Sequence, residues 1–366
     1  MSNPLVRLGH LGQSPWYDFI TRDLIRSGTL ARLIAEDGLL GMTSNPSIFE
    51  KAIASSGDYD EDIRRLAGER FDPKSIFESI AIADVQAACD AFLPKYQATG
   101  GRDGLVSLEV SPTLANDTAA TLAEARRLWI ALDRPNAMIK IPGTLAGLPA
   151  IAECIGAGIN VNVTLLFSVD RYRAVIDAFL AGLETRAARG LPISRIASVA
   201  SFFVSRVDTR IDPILDRTGD PWALRGTIAI ANAAAAYRVF LDSLASARWT
   251  VLAGKGASPQ RPLWASTSTK DPRYPDVYYV EALVAKDTVN TLPPETFLAY
   301  RDHGDPSLRI DAAMASAAEL LDRLRRAGLS LAEVTEFLEK DGVAKFTASY
   351  QAVLASIETK LGVMAG

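Results

Sequence analysis

Three short stretches alternate in the same manner and lie between segments of helical patterning: residues 105–112 (LVSLEVSP), 136–144 (NAMIKIPGT) and 159–168 (INVNVTLLFS). Successive strand side chains point to opposite faces. Val106, Leu108 and Val110 therefore share one face, and Ser107, Glu109 and Ser111 the other. Asn160, Asn162 and Thr164 similarly oppose Val161, Val163 and Leu165, while Met138, Lys140 and Pro142 oppose Ala137, Ile139 and Ile141. An exposed antiparallel strand would alternate in this way too. Helical segments between the strands point instead to βαβ units, whose parallel sheet is covered by helices. Polar faces on covered strands are then accommodated by turning them into the interior of a closed barrel.

Read along the chain, strands centred near residues 16, 40, 107, 139, 162, 199, 265 and 289 make eight. The spacing predicts helices over 19–38, 114–133, 148–158, 171–189 and 228–244. The economical architecture is α/β, a (β/α)8 TIM barrel of one domain over residues 1–366. Additional helices are expected at about 59–96, broken by Asp72-Pro73, and at about 307–361. A hydrophobic share of 48% with 22% charged residues suits a chain that buries a large core.

The polar strand faces direct attention to Lys140. Pro142 cannot donate to a sheet ladder and Gly143-Thr144 supplies a turn, so Lys140 stands at the carboxyl end of its strand. In α/β folds that end is where ligands bind. One account of such a lysine is a stem laid along apolar surface with its ammonium in water. The other is a desolvated amine that attacks a carbonyl and forms a Schiff base. Asp18, before a helical stretch, reads as an N-cap. Asn45 before Pro46 is held extended and Ser47 can cap the next helix, so turn chemistry alone accounts for residues 43–47.

Several chemistries find no support. His10 and His303 are the only histidines, and neither HExxH nor a Ser-His-Asp arrangement is present. Residues 253–258 (AGKGAS) lack the spacing of a phosphate loop and read as a turn. No GxGxxG joins a strand to a helix. Cys89 and Cys154 are far apart and are expected to be buried thiols, with no metal site suggested. A net charge of −4 offers no basic footprint for nucleic acid. The amino-terminal sequence lacks a signal-peptide core and no long apolar run suggests a membrane span, so a cytoplasmic location is expected. What remains is one lysine, two carboxylates, and amides and hydroxyls at strand ends.

Those residues resemble the transaldolases, in their longer form with extra helices. The resemblance rests on TSNPSIF, LEVSP, MIKIPGT, NVNVTLLFS and SFFVSR, five ordered segments that span nearly the whole chain. It implies that Lys140 forms a Schiff base with the C2 ketone of a ketose phosphate. Asp18 then takes the proton of the C4 hydroxyl, and Glu109 with Thr164 holds a catalytic water. Asn45 and Asn162 match amides that bind substrate hydroxyls. Ser201, Phe203 and Arg206 match the family's SPFVGR-type segment, where the arginine binds the sugar phosphate. Phe202 and Ser205 stand here in place of that segment's proline and glycine. Ser266 is implied as a further phosphate contact, and Lys270 is a candidate second cation.

The resemblance implies transfer of a dihydroxyacetone unit between sugar phosphates with no metal or organic cofactor. The extra helices and the alanine-rich stretch offer surfaces for a homodimer. An alternative enzyme is a fructose 6-phosphate aldolase, which releases free dihydroxyacetone. Those relatives are much shorter and usually lack the residues found here as Glu109 and Phe203. A catalytically silent barrel that only binds sugar phosphates is the reading from a different class.

Overall fold

A computed structural model describes residues 3–365. Eight parallel strands close into a barrel in chain order. They are β1 (Gln13–Tyr17), β2 (Gly41–Thr43), β3 (Leu105–Glu109), β4 (Ala137–Pro142), β5 (Val161–Leu166), β6 (Ser198–Phe203), β7 (Arg261–Ala265) and β8 (Thr288–Leu292). All eight expected strands are present, and β8 closes the barrel on β1 over the five-residue register Gln13↔Thr288 to Tyr17↔Leu292.

The alternation sorts as the sequence suggests. Ile139, Ile141, Val161 and Val163 are fully buried, and burial of such aliphatic side chains contributes roughly 1.5–3 kcal/mol each. The other face looks inward: Asn162 Nδ2 on β5 donates to Ser107 Oγ on β3 at 3.0 Å, across the barrel and past the intervening β4. Ser201 on β6 donates to Asn162 Oδ1 at 2.7 Å. At the amino-terminal floor, buried Arg261 donates to Ser14 Oγ at 2.8 Å and to Asp103 Oδ1 at 3.0 Å, joining β7 to β1.

The helices depart from expectation at their ends. The stretch predicted as one helix over 19–38 is two, Arg22–Arg26 and Thr29–Glu36, separated at Gly28, whose φ is +76°. Asp18 caps neither, because Thr21 accepts from Leu24 N. The expected cap at Ser47 is also displaced: Asn45 accepts from Ile48 N at 3.2 Å, and Pro46 occupies the first turn of Pro46–Ser55. The helix expected over 114–133 begins at Thr118, where Asp117 caps it by accepting from Ala120 N. Strand β6 stops at Phe203, and Arg206 lies in the first turn of the helix Ser205–Thr218.

The additional helices include Asp60–Gly68, Pro73–Ala98, Ile310–Arg326 and the 35-residue Leu331–Ala365. The last packs against Pro46–Ser55 and Pro73–Ala98 and also reaches the barrel. Among the described residues no single helix is long and apolar enough to cross a membrane. Both cysteines are buried free thiols.

Candidate active site

Parallel strands present their carboxyl ends to one mouth, and there a cavity of about 460 Å³ opens. Asp18, Asn45, Lys140, Thr164, Ser201, Phe203, Arg206, Ser266 and Lys270 all line it. Glu109 and Asn162 sit just beneath. A hollow of about 590 Å³ lies elsewhere, between the start of helix Val169–Ala188 and the C-terminal helices. It brings together none of the strand-end residues.

Lys140 is 4% exposed. Its neighbours across the sheet are Glu109 and Asn162, in register on β3 and β5. The ammonium lies 3.2 Å from a Glu109 carboxylate oxygen and donates to Ser44 O at 3.2 Å. Glu109 makes a close ion pair without hydrogen-bond alignment: both its carboxylate oxygens, and Thr164 Oγ1, are buried with no hydrogen-bond partner. Buried oxygens of this kind are costly unless a ligand or reacting group engages them. Burial pushes the Glu109 carboxyl up to about 7, against the opposing pull of the Lys140 charge. At Leu165, beside Thr164, the backbone takes a φ of +60° and the β5–β6 register shifts. Positive φ at a non-glycine residue is a local strain of the sort found at working sites.

Asp18 follows β1 into the mouth. Thr43 Oγ1 donates to it at 2.7 Å, and Asn45 Nδ2 lies at 3.5 Å. Burial raises this carboxyl above its ordinary range, while Lys140, Thr43 and Asn45 pull it back. Thr43 also meets Thr291 on β8 at 2.7 Å. Asn162 is fully buried, with its amide engaged by Ser107 and Ser201, so it supports the cavity floor.

At the other end of the cavity the Arg206 guanidinium lies over the Phe203 ring, 5.1 Å from its centroid. Its Nη1 is buried without a partner. Desolvation draws the guanidinium pKa down, partly countered by Asp341 and Asp18. A charge-bearing fork left unpaired in a cavity is suited to a planar or tetrahedral oxyanion. Ser205, at the position of the usual glycine, donates its N–H to Ser266 O at 3.0 Å, and the two hydroxyls lie 3.1 Å apart. Ser266 itself has a φ of +54°. Phe202, at the position of the usual proline, is buried edge-on against Trp264. Lys270 is exposed and donates to Ser268 Oγ at 2.7 Å.

A family model described as Transaldolase/Fructose-6-phosphate aldolase matches residues 15–357. The chain belongs to the transaldolase/fructose-6-phosphate aldolase family. Within it, a protein of Frankia alni named Transaldolase is 50% identical over 365 residues, covering 99% of this chain and 98% of that relative. A Transaldolase of Thermobifida fusca is 50% identical over 99% of each chain. Transaldolase 1 of Streptomyces coelicolor is 51% identical over 98% of this chain and 94% of the relative.

The transaldolase-family cavity also contains residues that sequence reasoning did not single out. Thr43 ends β2 and Thr291 is the penultimate residue of β8, and strand alternation could have flagged both. Lys345 and Phe346 line the cavity from the helix Leu331–Ala365. No strand-end pattern marks them, and their place follows from the tertiary path of that helix alone.

Proposed function

We propose that this chain is a transaldolase that moves a dihydroxyacetone unit from a ketose phosphate, such as sedoheptulose 7-phosphate or fructose 6-phosphate, to an aldose phosphate. The observation that carries this reading is the buried Lys140 amine paired at 3.2 Å with Glu109 in a mouth that also holds Asp18.

The Lys140 amine adds to the C2 ketone, giving a carbinolamine that loses water to become an iminium. Lysine must enter this step as the neutral amine. Glu109, whose carboxyl is raised to about 7, can hold and return a proton near neutral pH. A water oriented by the unpartnered oxygens of Glu109 and Thr164 carries protons to and from the C2 oxygen. The Asp18 carboxylate then takes the C4 hydroxyl proton, the C3–C4 electron pair moves to the iminium, and an aldehyde leaves. The remaining enamine attacks an acceptor aldehyde through C3, and Asp18 returns its proton to the new hydroxyl. Water hydrolyses the iminium and restores the free amine. The iminium serves as electron sink, so the sequence of steps balances without a cofactor.

Arg206 anchors the phosphate, with Ser266 beside it and Lys270 as an outer cation. Asn45 contacts a substrate hydroxyl through its amide, and Asn162 and Ser201 order the floor beneath the three-carbon unit. Phe203 packs under the Arg206 guanidinium and holds its plane. A coupled assay with fructose 6-phosphate and erythrose 4-phosphate should yield sedoheptulose 7-phosphate. Free dihydroxyacetone as the main product would instead identify an aldolase, and neither product would leave a binding barrel.

A further inference from the structure

The helix Leu331–Ala365 comes down onto the mouth over residues 341–346. At Gly342 a Cβ would lie 3.0 Å from the Leu165 side chain and 3.7 Å from Arg206 Nη1. One helical turn later and on the same face, Phe346 places its ring centroid 5.6 Å from Lys140 Nζ. Phe346 is 5% exposed and lines the cavity together with Asp18, Thr164 and Arg206. This stretch therefore touches both ends of the site, the phosphate anchor at Gly342 and the amine at Phe346.

An apolar ring beside a catalytic amine has two chemical consequences. It favours a cation at that nitrogen, whether ammonium or iminium, through the ring face. It also occupies space that water would otherwise fill. Water matters most after the C3–C4 bond has broken, when the enamine has two fates. Attack of C3 on an acceptor aldehyde forms a new carbon–carbon bond and completes transfer. Protonation of C3 by water or an acid instead gives the iminium of dihydroxyacetone; hydrolysis of that iminium releases free dihydroxyacetone and the amine.

We propose that Phe346 excludes water from the Lys140 enamine and thereby sets the partition between transfer to an acceptor and release of dihydroxyacetone. The assignment rests on the Schiff-base reading of Lys140. Phe346 is a specificity-determining residue delivered by a helix outside the eight-strand barrel, and the small side of Gly342 lets that helix approach closely enough to deliver it.

The test measures free dihydroxyacetone and transfer product together, from fructose 6-phosphate with limiting erythrose 4-phosphate. Phe346→Ala should raise the ratio of release to transfer on the order of tenfold as water enters the site. Phe346→Leu, which keeps apolar bulk, should stay near the wild-type ratio. Phe346→Gln, of similar length but polar, should behave like the alanine variant and serves if Phe346→Ala does not fold. An unchanged ratio in folded Phe346→Ala or Phe346→Gln overturns the assignment. Borohydride trapping on Lys140 in the same samples separates the two levels: trapping with an unchanged ratio removes only the role of Phe346, whereas no trapping in the wild type removes the Schiff-base reading with it.

Discussion

Glu109 carries the clearest conflict between stability and chemistry. Burial pushes its carboxyl up to about 7, whereas the unfolded chain would titrate it near an ordinary glutamate value of about 4.3. Because the folded pKa is the higher one, the folded state binds more protons between those values. Stability from this group is therefore fully present below the unfolded pKa and is lost as pH rises through about 7. Glu109→Gln removes the ionisation, so its melting temperature should gain on wild type between about pH 5 and pH 8. Asp208, also pushed up to about 7 by burial, contributes a slope of the same sign, which the comparison at a single site subtracts. In activity, the same substitution should lower turnover roughly 10²–10⁴-fold, in the range of a lost proton-transfer group. If Glu109 acts as a base, the wild-type rate is expected to rise through about pH 7, and that rise should be absent from the variant. A variant with the wild-type pH profile would show that Glu109 does not handle the proton. Glu109, Lys140, Asn162 and Thr164 were legible because strand alternation is a local signal: a single lysine or glutamate on an otherwise apolar strand states which face is polar. Asp18 was expected at the mouth by resemblance and as a cap by its place before a helix; the cap is Thr21, and Asp18 lines the cavity. Asp18 and Thr21 are both favourable cap types, aspartate the stronger, and only the chain path assigns the cap to Thr21 and turns Asp18 toward Thr43.

At the scale of elements, the position of Asp18 depends on how β1 meets β2. Trp16 and Gly41 are register partners, and Trp16 is fully buried. A Cβ on Gly41 would fall 2.4 to 2.6 Å from atoms of the indole ring. The ring is rigid and enclosed, so the strands must separate to admit it. Gly41→Ala should therefore destabilise the fold by about 1–3 kcal/mol, as overpacking does. It should also lower turnover by displacing β1 and Asp18 behind it; chemical denaturation and steady-state rates on the same preparation check both. Loss of stability with unchanged turnover would show that Asp18 is held by Thr43 and Asn45 alone. The strands were predictable because each is short and separated from the next by helical or turn segments, with β3, β4 and β5 also apolar on one face. Helix boundaries were less so: Asp117 and Asn45 decide where helices start, and several residues near each could have served equally well. Phe346 was not legible at all. It lies on a helix distant in sequence from Lys140, and nothing in its local pattern distinguishes it from a packing residue.

Across the whole molecule, the barrel separates a floor that holds it together from a mouth that does chemistry. At the floor, Arg261, Ser14 and Asp103 form a buried network in which Ser14 Oγ also donates to Asp103 at 2.7 Å. Every member is partnered. Arg261→Ala would strand the Asp103 charge, and removal of one partner of a buried pair costs about 3–5 kcal/mol. The expected result is a large fall in thermal stability with near-normal turnover well below the melting point, since no mouth residue touches this network. At the mouth the pattern is reversed: Glu109, Thr164 and Arg206 retain buried polar atoms without partners. The central claim is that these unmet groups surround an amine that becomes covalently attached to substrate. Its most direct test is borohydride reduction in the presence of fructose 6-phosphate, followed by peptide mass spectrometry. A reduced three-carbon adduct on Lys140, absent from Lys140→Ala, is the expected result; an adduct on another lysine, or none in the folded wild-type protein, would contradict it.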